Sequence, residues 1–259
     1  LADVIATGII ATLRAEALTS AAGRRETHPN HGDEGARMRV EWYGQSAFNL
    51  SAGETTVVID PFADMSGLAS RGINFDYPPI VDVHAHVLLV THEHGDHNNV
   101  EAIVGDPVVL RSTAGRLESP IGEIIAVASE HDEVAGTVRG PNTIFVFELD
   151  ELRVAHFGDF GQSELRAEQA AAIGAVDLLF IPVGDGPTIG AAAAMAIVDR
   201  LSPRWVVPMH YRTPRIGFLE SEEAFVELAG QVQRLTSSAF DTDELETGET
   251  PVVVVPAVP

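Results

Sequence analysis

Leu88-Leu89-Val90-Thr91-His92-Glu93-His94-Gly95-Asp96-His97 runs from an apolar segment straight into three histidines and an aspartate within six residues. The apolar run predicts a buried strand, and a strand end is a rigid place from which to hang side chains. In an extended segment His92 and His94 project to one side, so both imidazoles reach one cation. Gly95 then lets the chain turn and present Asp96 and His97 to a second. The bland alternative is a polar loop whose histidines bond to backbone, and it leaves the crowding of four ligand-type side chains unexplained. Cysteine is absent, which removes disulfides and thiolate chemistry, so a metal must be held by nitrogen and oxygen. Such donors suit zinc, manganese or iron without choosing among them.

Upstream, β-type runs at Arg39–Tyr43, Ala47–Leu50 and Thr56–Ile59 are separated by glycine-containing turns and predict a meander. Downstream runs follow at Val108–Leu110, Ile124–Val127, Ile144–Leu149, Arg153–Phe157, Leu178–Ile181, Trp205–Pro208 and Val252–Val255. Helical spacing of apolar residues predicts helices over Ser163–Ile173, Ile189–Leu201 and, most clearly, Ser221–Leu235, with Ser221 as a cap. A strand-rich first half followed by strands interleaved with helices fits two packed sheets covered by helices, an α/β architecture.

Residues 1–37 are Ala-rich and then polar, and read as an N-terminal extension that is poorly ordered or holds a short helix; the domain is expected over residues 38–259. His28 and His31 read as solvated loop residues. His84 and His86 form a second H-x-H, but no Asp-His follows it, and a surface role is expected. His156 ends a strand beside Gly158–Asp159, where it can support the ligands without being one.

The 259 residues, 45% hydrophobic, are ample for a core. No apolar run is long enough to span a bilayer, and Val4–Leu13 lacks the flanks of a signal peptide, so a cytoplasmic protein without a membrane partner is expected. Thirty-eight acidic residues against 16 basic ones, all arginine, give a net charge of −22. Such a surface repels polyanions and argues against a nucleic-acid partner.

The segment Thr91–His97 resembles the signature of the metallo-β-lactamase superfamily. Val57-Val58-Ile59-Asp60-Pro61, Ser129-Glu130-His131-Asp132, His156-Phe157-Gly158-Asp159 and Pro208-Met209-His210-Tyr211 resemble its remaining motifs in order. Through Glu41-Trp42-Tyr43-Gly44, Arg139-Gly140-Pro141-Asn142-Thr143 and Ile181-Pro182-Val183-Gly184 the chain is most similar to the L-ascorbate-6-phosphate lactonase-like group. The resemblance implies a four-layer αββα sandwich of two mixed sheets flanked by helices, holding two divalent metal ions. His92, His94 and His131 would hold one ion and Asp96, His97 and His210 the other. Asp159 would bridge them, and Asp60 would orient the ligand loop without touching metal. Asp96 and Asp159 carry the expected catalytic role, because two cations sharing a water make hydroxide available near neutral pH.

Several further residues are expected to touch substrate or support the ligands: Gln45, Asn142, Arg139, Asp185, Tyr211 and Arg212. Many relatives have His-Ser where this chain has Gln45-Ser46, and Gly-Gly where it has Gly184-Asp185, so the group's substrate does not transfer directly. The expected activity is hydrolysis of a small, anionic ester, lactone or phosphoester, with a homo-oligomer left open. The alternatives are a phosphodiesterase or nuclease-like enzyme of the same fold and a non-catalytic metal-binding scaffold. Thiolester hydrolase and diiron oxygen-reducing readings fit less well. The first needs an added helical domain, and the second carries an acidic residue where His94 stands.

Overall fold

The computed structural model describes residues 37–259; nearly all of the N-terminal extension, with His28 and His31, lies outside the described residues. The expected meander forms as β1 (Arg39–Gly44), β2 (Ala47–Ala52) and β3 (Thr55–Ile59). Next come β4 (Val83–His84), β5 (Val87–Val90), β6 (Ile103–Val104), β7 (Val108–Arg111), β8 (Gly115–Ser119), β9 (Gly122–Glu130), β10 (Pro141–Leu149) and β11 (Leu152–His156). Helix α1 (Ala167–Ile173) leads to β12 (Leu178–Pro182), and α2 (Ala191–Leu201) to β13 (Trp205–Met209). Helix α3 (Glu223–Leu228), β14 (Gln231–Arg234), β15 (Ala239–Asp241) and β16 (Val252–Val255) complete the described residues.

Two mixed sheets result, ordered β15-β1-β2-β3-β5-β7 and β14-β16-β13-β12-β11-β10-β9-β8. Side chains on a strand alternate between faces, and the smaller sheet shows what each face meets. Val57 and Ile59 of β3, with Val87 and Leu89 of β5, point into the core shared with the larger sheet. Val58, Leu88 and Val90 point outward, where Phe62, Tyr77, Ile80, Ile103, Ile216 and Leu219 cover them. That outer cover comes from loops and the short 3-10 turn Val100–Ala102 instead of α-helices. The expected two-sheet sandwich is therefore present with a lighter outer layer on one side than the resemblance implied.

The predicted helix over Ser221–Leu235 is the main departure. Helix α3 ends at Leu228, Glu222 stands at its N-cap without a side-chain cap bond, and residues 231–234 pair in parallel with β16. Gly230 weakens a continuing helix by about 1 kcal/mol, and the edge of β16 offers ladder hydrogen bonds that a longer helix would leave unmade. Helix α1 likewise starts at Ala167 instead of Ser163, where the side chain of Gln169 accepts the Arg166 N–H at 2.9 Å. Strands β8, β14 and β15 carry too few apolar residues to be visible in the sequence.

Candidate metal centre

Strand direction brings the candidate ligands together. β3 is parallel to β5, and β11, β12 and β13 are parallel to one another. β9 runs with β11 because each is antiparallel to β10. Asp60, the His92–His97 loop, His131, Asp159 and His210 all follow the carboxyl ends of these strands, and so they collect at one edge of the sandwich, where ligands of open α/β sheets characteristically bind. The sheets are tied there by Thr143 N–H donating to Thr91 O at 3.0 Å and His210 N–H to Gln45 O at 3.4 Å.

Two ligand groups form. His92, His94 and His131 make one and Asp96, His97, Asp159 and His210 the other, the donor atoms of each lying within 4.8 Å of one another. Asp159 Oδ2 sits between them, 3.3 Å from Nε2 of His97, His131 and His210 and 3.9 Å from Nε2 of His92. Asp60 also lies close to His92 and His97, but its oxygens are already engaged. Oδ1 accepts the Thr91 N–H at 2.8 Å, and Oδ2 accepts the Thr91 hydroxyl at 2.6 Å and His97 Nδ1–H at 2.9 Å. These three bonds commit both of its oxygens to the ligand loop. Because the Thr91 hydroxyl donates to Asp60, its oxygen accepts from His92 Nδ1 at 3.1 Å. Asp60 thus fixes the tautomers of both imidazoles with Nε2 bare toward the cluster.

His94 and Asp96 open the cluster to solvent, while His92, His97, His131, Asp159 and His210 are buried. Burial, reinforced by the neighbouring imidazoles, lowers the pKa of His92 to about 2 and lowers those of His94 and His210. His97 is the exception. Burial works against its charge, but Asp159, Asp96 and Asp60 outweigh it and raise the pKa. Burial alone would raise Asp159, yet His210 and His97 hold it well below the carboxylate range. Nε2 of His92 and of His97 is buried without a hydrogen-bond partner, an arrangement that costs roughly 1–3 kcal/mol per atom unless something fills the space. Bare imidazole nitrogens around a buried carboxylate fit divalent cations and little else.

Comparison with known proteins agrees with this geometry. Residues 39–210 match a β-lactamase superfamily domain. The chain belongs to the metallo-β-lactamase superfamily. A UPF0173 metal-dependent hydrolase of Thermus thermophilus is 31% identical, the match covering 74% of this chain and 91% of the relative. One from Methylobacterium nodulans is 32% identical over 73% and 91%. The crystal structure of a Thermotoga maritima protein, described as a Zn-dependent hydrolase of this superfamily, superposes with a TM-score of 0.68 at 29% identity, covering 86% of this chain and all of that one.

Around the superfamily ligands the remaining candidates separate. Asn142 is buried. Its Oδ1 accepts the Asp159 N–H at 3.1 Å, and its Nδ2 donates to Phe157 O and Ser129 Oγ at 2.8 Å, so it holds the Asp159 loop. Gln45 is buried too, donating to the Tyr77 hydroxyl at 3.1 Å. Tyr211 is not at the surface but packs its ring 5.5 Å from Trp42. Arg212, expected to touch substrate or support the ligands, lines a cavity of about 240 Å³ with Glu222, Arg234 and Val255–Val258, and no candidate ligand lines that cavity. Arg139 and Asp185 are exposed. Gly95 has no positive φ, and a Cβ there would meet only Met65 Sδ at 3.8 Å; the turn it was expected to allow is made by His97 N–H donating to His94 O.

Glu93, between the first two ligands, was missed by sequence reasoning. It accepts from Arg111 Nε at 3.0 Å and Ser112 Oγ at 2.9 Å, and its pKa falls to about 2, chiefly through Arg111. It ties the ligand loop to β7. Its place between two histidines was the available signal, because alternation turns it away from the metals. His84 and His86 are exposed and line a separate cavity of about 430 Å³, in keeping with a surface role.

Proposed function

We propose that this protein is a dinuclear metal-dependent hydrolase acting on a small ester, lactone or phosphoester, with His92, His94 and His131 holding one ion and Asp96, His97 and His210 the other. One observation carries the reading: Asp159 Oδ2 lies 3.3 Å from imidazoles of both groups at once. When bound, a cation pair supplies an acidified water and a Lewis acid for a carbonyl or phosphoryl oxygen. The chain does the rest. Asp60 holds two imidazoles in the ligating tautomer, Asn142 anchors the Asp159 backbone, and burial disfavours protonation of His92, His94 and His210.

Substrate enters on the His94 and Asp96 side, since these are the solvent-facing ligands. Arg139, exposed on the loop that follows His131, is our candidate for the guanidinium that meets an anionic substituent. The resemblance of the flanking motifs to the lactonase-like group favours a lactone, and the acidic surface disfavours long nucleic acid.

The deciding experiment reconstitutes metal-free protein separately with zinc and manganese and assays lactones and phosphodiesters. Chelator-sensitive turnover of a small ester or lactone is expected. Asp159→Asn should lose both activity and the two-ion stoichiometry, while His84→Ala and His86→Ala keep about two ions per chain. Efficient cleavage of structured RNA with no small ester turned over, or full occupancy and turnover in Asp159→Asn, would overturn the reading. Two bound ions with no turnover of any substrate would favour a scaffold.

A further inference from the structure

We propose that Ser46, oriented by His156, is the positioning residue that reserves a single oxygen of Asp159 for the metal pair; the inference rests on the dinuclear reading above. A carboxylate has two equivalent oxygens, and rotation about the second side-chain torsion of Asp is broad and nearly two-fold. A buried aspartate among imidazoles can therefore offer one oxygen to each of two cations or one oxygen to both. Here the choice is made by the chain. Asp159 Oδ1 accepts the hydroxyl of Ser46 at 3.2 Å, while Oδ2 lies 3.3 Å from Nε2 of His97, His131 and His210.

Ser46 is itself held. Its side chain has no exposure to solvent, and its carbonyl meets His156 Nε2 at 3.0 Å. The direction of that bond follows from the other ring nitrogen. Gly158 N–H donates to His156 Nδ1 at 3.2 Å, so Nδ1 is the acceptor and Nε2 carries the hydrogen given to Ser46. His156 is fully buried between the sheets, its ring 5.9 Å from Phe48 and 5.8 Å from Phe180, and cannot swing away without opening the core. A line of contacts thus runs from the inter-sheet core through His156 and Ser46 to Oδ1. Asn142 holds the Asp159 backbone from another direction. The backbone contact sets where the carboxylate is, and the Ser46 hydroxyl sets how it is turned. Gln45, the neighbouring residue, reaches away to Tyr77.

A cation pair sharing one oxygen atom is coupled more directly than a pair joined through the three atoms of a carboxylate, and that difference is readable without turnover. Metal-free wild type, Ser46→Ala, Ser46→Thr and Ser46→Cys are titrated with manganese(II) chloride, with stoichiometry and affinity from equilibrium dialysis and the electron paramagnetic resonance spectrum of each complex. Wild type is expected to take two ions and show the spectrum of an exchange-coupled pair. In Ser46→Ala the second ion should bind at least about tenfold more weakly, within the range known for lost support of a metal ligand, and the coupled signal should change. Ser46→Thr, which keeps the hydroxyl, should restore both. Ser46→Cys keeps the side-chain size with a much weaker donor and should behave as alanine, giving the same reading if the alanine variant does not fold. An unchanged coupled spectrum and affinity in Ser46→Ala or Ser46→Cys, or failure of threonine to restore them, overturns the inference alone. A single ion in wild type overturns the dinuclear reading and the inference with it.

Discussion

Asp60 shows how much of this centre is decided by side chains that never meet a metal. At φ 50 its backbone stands in the left-handed region, as do those of Gln45 (φ 50), Asp185 (φ 55) and ligand His210 (φ 50). Each costs roughly 1–2 kcal/mol for a residue with a side chain, and strain of this kind gathers where function over-determines the structure. The ionisation of the cluster leads to a pH prediction for the metal-free protein. Burial holds His92, His156 and His210 below the ordinary 6.5, whereas unfolding returns each to it. Below about pH 6.5 the unfolded chain takes up protons that the folded one refuses, so stability falls, by up to about 1.4 kcal/mol per pH unit for each group. His97 has the opposite sign: its raised pKa adds stability that is full below 6.5 and lost as pH rises through the folded value. The denaturation midpoint of metal-free protein should therefore peak near 6.5 and drop clearly by about pH 5; a midpoint flat or rising over that interval would contradict these assignments. The candidate ligands were legible in the sequence because the His92–His97 cluster is local and the other motifs resemble those of a known family. Which nitrogen each histidine offers was not, because Thr91, Asp60 and the imidazoles meet only once β3 and β5 pair.

Among elements, strands of β-branched residues were easy to foresee and the short helices were not. Val252–Val255 forms a strand with the expected bounds, because four successive valines buried on both faces allow little else. Ser221–Leu235 carried apolar residues at helical spacing, yet its residues 231–234 became β14, since the free edge of β16 lies beside them only in the tertiary structure. The Asp159 loop gives a test at this scale. Gly158 has φ +55, and a Cβ there would come within 2.4 Å of Asn142 Oδ1 and 2.7 Å of Thr91 Cβ. Gly158→Ala should cost at least about 2 kcal/mol from the torsion and the clash together, visible as a lower unfolding midpoint, with weakened metal binding because Asn142 would be pushed from the Asp159 N–H. A variant with wild-type stability and metal content would show that the loop has room to yield.

For the whole molecule, charge and local site act in opposite directions. A net charge of −22 repels an anion at long range, whereas on the proposed function bound cations and Arg139 would attract it at close range. Raising the ionic strength from about 0.01 M to 0.15 M shortens the screening length from about 30 Å to about 8 Å, which weakens the distant repulsion more than the contact attraction. KM for an anionic lactone or phosphoester should fall over that range while KM for a neutral lactone stays level; a rise in KM for the anion would mean that an exposed basic clamp governs binding. The sequence by itself determined the His92–His97 cluster, the α/β class and the paired-sheet layout, because these follow from residue chemistry and from periodicities that span a few positions, and its resemblance to a family pointed to the other candidate ligands. Only the tertiary structure decided the loop-built cover on the smaller sheet, the rerouting of residues 231–234, the placing of Arg212 on another cavity and the turning of Asp159 by Ser46. Each of these depends on which segments, distant along the chain, come to lie side by side, and that is fixed when the sheets pair and pack.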